Sequence, residues 1–384
     1  MIHAVLPAGS YHGWGICGKY IVREMSKFTD ITLMTEQFDF NEIGDEFDFR
    51  LLNDKRMADG DYEAIKKSPS WNVNAPVLQA IIGNSMRPLL PQFRGNVNVG
   101  YTFFEDNVLP QQYLEDGRNF FDTVVTGSSW CEEVLRGYGL TNVTTIIQGI
   151  DPTIFNPFFP EKEYFRDRFV VFSGGKFELR KGQDLVIKAY KAFQDRHRDV
   201  MLINSWFNKW NFSLQTMAAS PYITFAPASD DYISMMNGIL RDNGLDMDRV
   251  ITLPPYPNVM MAKIYRNSDV GLFPNRCEGG TNLVLMEYMA CGKPAVASFS
   301  SGHRDILTER NSIRLTDLKQ TSITNNNVAI AVWDEPNPDE ILAALEAAYR
   351  NRERLAETGR QAGEDLAALT WTSTTRRFYE VLTR

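Results

Sequence analysis

The stretch Phe273-Pro-Asn-Arg-Cys-Glu-Gly-Gly-Thr-Asn-Leu-Val-Leu-Met-Glu-Tyr-Met-Ala-Cys-Gly292 decides the fold. An apolar run at 270–273 reads as a strand ending at Phe273. A loop containing Glu278, Gly279 and Gly280 follows, Thr281 or Asn282 supplies a helix N-cap, and Gly292 with Pro294 just beyond ends the helix. Strand, glycine loop and helix in that order is the unit of a parallel α/β sheet. Adjacent glycines before a helix N-terminus free several backbone N–H groups to converge on an anion. Glu287 is the odd residue of that helix. Its neighbours on a helix of ~3.6 residues per turn are Leu283, Val284, Ala290 and Cys291, all apolar or small. A carboxylate on such a face is costly unless something binds it: a ligand's hydroxyl pair, or a buried partner in the protein.

The same alternation extends both ways along the chain. Toward the N-terminus, 169–172 and 201–204 read as strands, with a helix from Gln183 carrying Val186, Ala189, Tyr190 and Phe193 at helical spacing. Further strands are 250–253 and 295–298, and 339–369 is helix-rich. Upstream of Asp151-Pro-Thr-Ile-Phe-Asn-Pro-Phe-Phe-Pro160, whose prolines mark a linker, a first series begins. It has strands at 2–6, 31–35, 97–104, 123–126 and 144–147, a loop and helix over 13–28, and a helix over 130–138 capped by Ser128 or Ser129. Two doubly wound α/β domains with a cleft between them are expected, and the cleft is the default ligand site.

Other segments reach that cleft. Ser173-Gly-Gly-Lys-Phe-Glu-Leu-Arg-Lys-Gly182 follows a strand end and brings Lys176, Arg180 and Lys181 together, which suits a diphosphate or else a solvated basic loop. It lacks the spacing of a Walker loop. Gly13-Trp-Gly-Ile-Cys-Gly18 has the letters of a dinucleotide fingerprint, with Glu36 after the next strand. Its first glycine lies well beyond the strand end at Leu6, so it is expected as an extended glycine-rich loop facing the cleft. Glu105 and Asp106 follow a strand and would reach the cleft, although Asp106 equally suits a helix cap. His303 would also face the cleft, and the aromatic residues 206–212 suit either a core or a stacking platform.

Composition narrows the classes. The chain has 384 residues, 43% apolar and 23% charged, with a net charge of −8, as in an ordinary globular protein of about two domains. That acidity disfavours nucleic acid and anionic membranes as partners. Four scattered cysteines and four scattered histidines form no metal pattern, and no run approaches the ~20 apolar residues of a membrane span. The N-terminus lacks a basic, signal-like start. A protein of the cytoplasm with no integral membrane segment and reduced thiols is expected.

The stretch from Arg276 to Pro294 resembles the donor-site signature of the retaining family 4 glycosyltransferases (glycosyl transferases group 1). The loop ending Arg180-Lys181-Gly182 resembles that family's phosphate-binding loop, Gln148-Gly-Ile-Asp-Pro-Thr-Ile-Phe155 its interdomain segment, and Trp371 the tryptophan before its last helix. The resemblance implies an α/β fold of the GT-B kind, two Rossmann-like doubly wound domains facing across a cleft. An acceptor domain would span 1–160 with the returning helix 371–384, and a nucleotide-sugar domain 161–370. It implies transfer of a sugar from a nucleotide-diphosphate donor to a glycan, lipid-linked or protein acceptor with retention of configuration, without metal or cofactor.

By the same resemblance Glu287 would hold the ribose hydroxyls and Glu278 would sit beside the donor sugar. The amides of Gly279, Gly280, Thr281, Asn282 and Leu283, with Lys176, Arg180 and Lys181, would hold the diphosphate, and Gly13 and Gly15 would close over it. Eight residues separate the two glutamates where the family usually has seven. Lys176 stands in place of an arginine, Gln148 in place of a histidine, and Glu105 is the nearest candidate for an absent first-domain histidine. As a loop residue, Lys181 is expected to be dispensable for folding. Two other classes stay open: an NAD-dependent Rossmann oxidoreductase, from Gly13–Gly18 and Glu36, and a non-catalytic GT-B carbohydrate-binding module.

Overall fold

The computed structural model describes residues 1–158 and 162–384. The expected domain boundary at 160/161 falls outside the described residues.

Two six-stranded parallel sheets organise the chain. The first contains β1 (Ile2–Val5), β2 (Ile31–Met34), β3 (Pro76–Ala80), β4 (Val97–Thr102), β5 (Thr123–Thr126) and β6 (Val143–Thr145), in the order β2-β1-β3-β4-β5-β6. The second contains β7 (Phe169–Gly175), β8 (Val200–Trp206), β9 (Val250–Thr252), β10 (Val270–Phe273), β11 (Ala295–Ser298) and β12 (Ile313–Leu315), in the order β9-β8-β7-β10-β11-β12. The innermost strands are buried along their whole length, as helices on both faces require: Val270, Leu272 and Phe273 of β10 are at most 1% exposed. The registers Ile2↔Ile31 and Val171↔Val270 align the strand ends, so each sheet presents its carboxyl-end loops along one edge.

Helix α1 (Gly13–Met25) starts at Gly13, so the glycines of the expected loop lie within the helix. A Cβ on Gly18 would lie 1.9 Å from the Pro7 carbonyl oxygen, which shows how closely α1 approaches the chain leaving β1. The dinucleotide fingerprint requires its first glycine at the turn between strand and helix, and here that turn is made by residues 6–12. This geometry overturns the loop reading of Gly13–Gly18.

After β12 the chain forms a hairpin of β13 (Leu318–Asn325) and β14 (Val328–Pro336), then the helices Pro338–Arg350 and Arg352–Leu366. The last helix, Trp371–Leu382, returns to the first sheet. Thr370 caps it, and Trp371, Thr374, Thr375, Phe378 and Leu382 form its buried stripe. Trp371 stacks on Tyr20 of α1 with centroids 5.3 Å apart, and Phe378 meets Tyr101 edge-on at 4.9 Å. Among the described residues no helix is long and apolar enough to cross a membrane.

Candidate active site

The carboxyl ends of β7 and β10 build one side of the site. Beyond β7 a single 3-10 turn, Leu179–Lys181, ends at left-handed Gly182 (φ 71°) and turns Arg180 and Lys181 toward the loop after β10. There Lys181 Nζ lies 2.6 Å from Glu278 Oε1 and Arg180 Nη1 lies 3.2 Å from Glu278 Oε2, while Asn275 Nδ2 donates to the same carboxylate. Glu278 is 4% exposed. Burial alone would raise its pKa, but Lys181 and Arg180 outweigh it and hold the carboxyl ionised, at about 2. Arg180 also pairs with Glu178 at 2.6 Å and Lys176 with Glu178 at 2.8 Å. Each of the three expected cations therefore rests on a carboxylate of this chain.

The first domain meets this cluster directly. Glu105 Oε1 is 3.3 Å from Arg180 Nη1 and accepts from the Gly279 amide at 3.4 Å. Gln148 Oε1 accepts from both the amide and the hydroxyl of Thr281, each at 3.3 Å. Ser128 Oγ donates to the Gly279 carbonyl at 2.6 Å. A Cβ on Gly279 would stand 2.4 Å from the Phe104 carbonyl, so no larger residue fits between the domains there. Glu105 and Gln148 thus occupy amides that the sequence reading assigns to a diphosphate.

Asn282 makes the cap of the helix Leu283–Ala290, α2 here, in a left-handed conformation (φ 61°) with its side chain accepting from Leu285 N. His303 does not face the cleft as expected. It is 1% exposed, lies against the Ser298 carbonyl through Nδ1 and against Asn282 Nδ2 through Nε2, each at 3.1 Å. Burial lowers its pKa to about 4, so the neutral ring donates to Ser298 and orients Asn282. Thr281, the other cap candidate, is turned to Gln148 and Met286 instead.

Glu287 is 3% exposed and lies in a different environment. Asn258 Nδ2 and Tyr265 Oη each donate to its carboxyl at 3.2 Å. Burial pushes its pKa to about 8 despite those two donors and the more distant Lys19. Lys19 is itself fully buried in α1, donating to Ser10 Oγ at 2.8 Å and Asn258 Oδ1 at 3.2 Å.

The structure therefore brings Lys176, Arg180, Lys181, Glu278, Gly279 and Glu105 into one cluster and holds Glu287 apart from it. Gly13 and Gly15 open α1 next to His12, whose ring lies 4.6 Å from Trp210, and Lys176 Nζ sits 5.3 Å from the same indole. Asp106 caps no helix, because the next one begins after Pro110. Glu178 was legible in the basic loop yet missed. Asn258, Tyr265 and Lys19 carry no local signal. Glu278, Thr281, Asn282 and Glu287 are at most 5% exposed. A recess of about 450 Å³ lies elsewhere, against Asn156, Met260 and Arg266. Among the described residues no group of three or more His, Cys, Asp or Glu is placed to hold a metal ion.

Residues 167–350 match the family model described as Glycosyl transferases group 1. The chain is 25% identical over 244 residues, 60% of its length, to the D-inositol 3-phosphate glycosyltransferase of Xylanimonas cellulosilytica. It spans about half the length of that curated relative. Among solved structures it is similar to sucrose-phosphate synthase from Thermosynechococcus elongatus, with a TM-score of 0.68, 15% identity, and coverage of 99% of this chain and 97% of the other. It is also similar to Anabaena HepE solved with UDP and glucose, with a TM-score of 0.64, 14% identity, and coverage of 100% and 99%. The family match lies in the second domain, and the likenesses along the whole chain show the GT-B fold.

Proposed function

We propose that the protein moves a sugar from a nucleotide-diphosphate donor to an acceptor hydroxyl, with retention of anomeric configuration and without a metal. The observation that carries this reading is the meeting of Lys181, Arg180 and Glu278 with Glu105 across the domain boundary. As the bond from the anomeric carbon to the diphosphate breaks, the electron pair leaves on the diphosphate. Lys181, Arg180 and Lys176 lie where they stabilise that developing charge. A diphosphate taking those cations releases the Glu278 carboxylate toward the positive charge that grows at the anomeric carbon. Glu105 faces the same loop from the other domain and is the candidate to receive the acceptor's proton. Closure of the two domains excludes water from this chemistry.

Glu287, with Asn258 and Lys19 beside it, is proposed to hold the ribose hydroxyls. The acceptor is expected to be a glycan, lipid-linked or protein hydroxyl, and the site of action the cytoplasm. UDP-glucose, with which Anabaena HepE has been solved in complex, is the first donor to assay here, followed by other nucleotide sugars. Transfer is expected to persist in excess chelator, and NMR of the product is expected to show the donor's anomeric configuration. Loss of activity on chelation with rescue by Mn²⁺ or Mg²⁺, or an inverted product, overturns the mechanism.

A further inference from the structure

The hairpin of β13 and β14 has no part in the reaction as proposed above. Its strands pair antiparallel from Leu318↔Pro336 to Asn325↔Val328 and turn through left-handed Asn326 and Asn327 (φ 49° and 64°). Its base is fastened to the donor loop. Asp334 N donates to the Arg276 carbonyl at 3.1 Å, and Arg276 Nε lies 2.9 Å from Glu335 Oε2. Arg276, 1% exposed, is gripped in turn by both oxygens of Asp184 at 2.8 Å. The hairpin is thus tied to the chain two residues before Glu278.

Strand β14 then reaches the first domain. Val332 N donates to Asn107 Oδ1 at 2.8 Å and Asn107 Nδ2 donates to the Val332 carbonyl at 3.3 Å, so one amide side chain engages both backbone groups of Val332. Val108 N donates to the Ile330 carbonyl at 3.0 Å. The Trp333 indole Nε1 donates to the Glu105 carbonyl at 2.9 Å, and Trp333, Ala331 and Cys277 form a small apolar cluster joined by Trp130 of the first domain. Glu105 lies beyond the end of β4, where no strand ladder holds it. Bonds from within the first domain reach the carbonyls on either side of it, Cys131 Sγ to Phe104 and Asn84 Nδ2 to Asp106, while Trp333 holds its own.

We propose that Trp333 and Asn107 are positioning residues for Glu105: the second domain's hairpin sets this first-domain carboxylate against Arg180 and the Gly279 amide when the domains meet. The inference rests on the role given to Glu105 in the proposed reaction. It makes placement of that carboxylate depend on the meeting of the two domains.

Trp333→Phe keeps an aromatic ring against Ala331 and Cys277 and removes the N–H donor, and a urea melt of the variant checks that the fold is retained. Assayed with the donor that the wild type turns over, starting from UDP-glucose, it is expected to lower kcat about ten- to a hundredfold with donor KM within about twofold. The double variant Trp333→Phe/Glu105→Gln is expected to match Glu105→Gln alone, since a positioning residue has nothing left to act through. Hydrogen exchange, read without any donor, separates the grip from the reaction. In the wild type the amides of Val108 and Val332 should be protected, and Asn107→Ala should expose both while leaving β10 and β11 unchanged. An unchanged kcat for Trp333→Phe, kcat losses that multiply in the double variant, or wild-type amides exchanging as freely as exposed ones overturns the proposal.

Discussion

Glu278 and Glu287 stand nine positions apart, one before and one within the same helix, and both are nearly fully buried, at 4% and 3% exposure. Their electrostatic surroundings are opposite. Two cations face Glu278 and hold it at about 2, while an amide and a phenol face Glu287 and leave it at about 8. Burial pushes both upward. A cation in direct contact reverses that push, and neutral donors at 3.2 Å do not. The comparison teaches that depth does not assign charge in this site; the contacting partner does. One end of the site is an ion cluster suited to a diphosphate, the other a neutral pocket suited to hydroxyls.

The largest expected effect tests the charged end. Glu278→Gln should lower kcat by about a hundred- to a thousandfold, with a smaller rise in donor KM, in initial-rate assays. Retained kcat would remove Glu278 from the transition state. Lys181→Ala comes next. The sequence reading takes this lysine for a loop residue whose loss leaves the fold intact, but it is largely buried in contact with Glu278. Its removal strands a buried carboxylate and should destabilise the protein by about 3 kcal/mol, as well as weakening donor use about ten- to a hundredfold. Adding Glu278→Gln should restore the urea midpoint without restoring activity. A midpoint unchanged in the single variant would show that Arg180 alone holds the carboxylate.

Glu287→Gln probes the neutral end, with a smaller effect. Ribose is remote from the bond that breaks, so donor KM should rise about tenfold with kcat nearly constant. Abolished turnover with intact nucleotide affinity would exchange the roles of the two glutamates. The smallest effect is in pH dependence of stability. Glu287 keeps its proton in the folded state between the ordinary carboxyl value of 4.5 and about 8, where the unfolded chain loses it. Its contribution therefore weakens as pH rises through that window, and Glu287→Gln should flatten this slope. Glu278 has the opposite sign: its stabilisation is present above 4.5 and is lost as pH falls toward about 2. Urea melts at a series of pH values check both, and equal slopes for wild type and Glu287→Gln would return Glu287 to the ionised state.

Much of the frame was legible in the chain. The strand at Phe273, the glycine loop, a cap at Thr281 or Asn282 and the helix at Gln183 follow from steric and hydrogen-bond preferences acting within about a turn of each residue, while the returning helix at Trp371 was legible only through the family resemblance. The approach of Arg180 and Lys181 to the β10 loop was legible too, because the topology of a parallel sheet brings its strand ends together. Strand β3, Pro76-Val-Leu-Gln-Ala80, was not, since a five-residue stretch begun by proline and interrupted by Gln79 reads equally as a loop. The hairpin was not, since its strands are largely exposed and are held by Arg276 and Asn107, far away in sequence.

By itself, then, the sequence determined the two α/β domains, the loops that face each other and the residue types those loops carry, because each depends on interactions between near neighbours. Only the tertiary structure decided which carboxyl is charged, which cation each carboxylate holds and where Gly13 falls in its helix. It alone showed that Glu105 is held by Trp333, 228 positions away. Protonation and pairing are set by the nearest groups in space and by the water excluded around them, and those groups come from segments that only folding brings together.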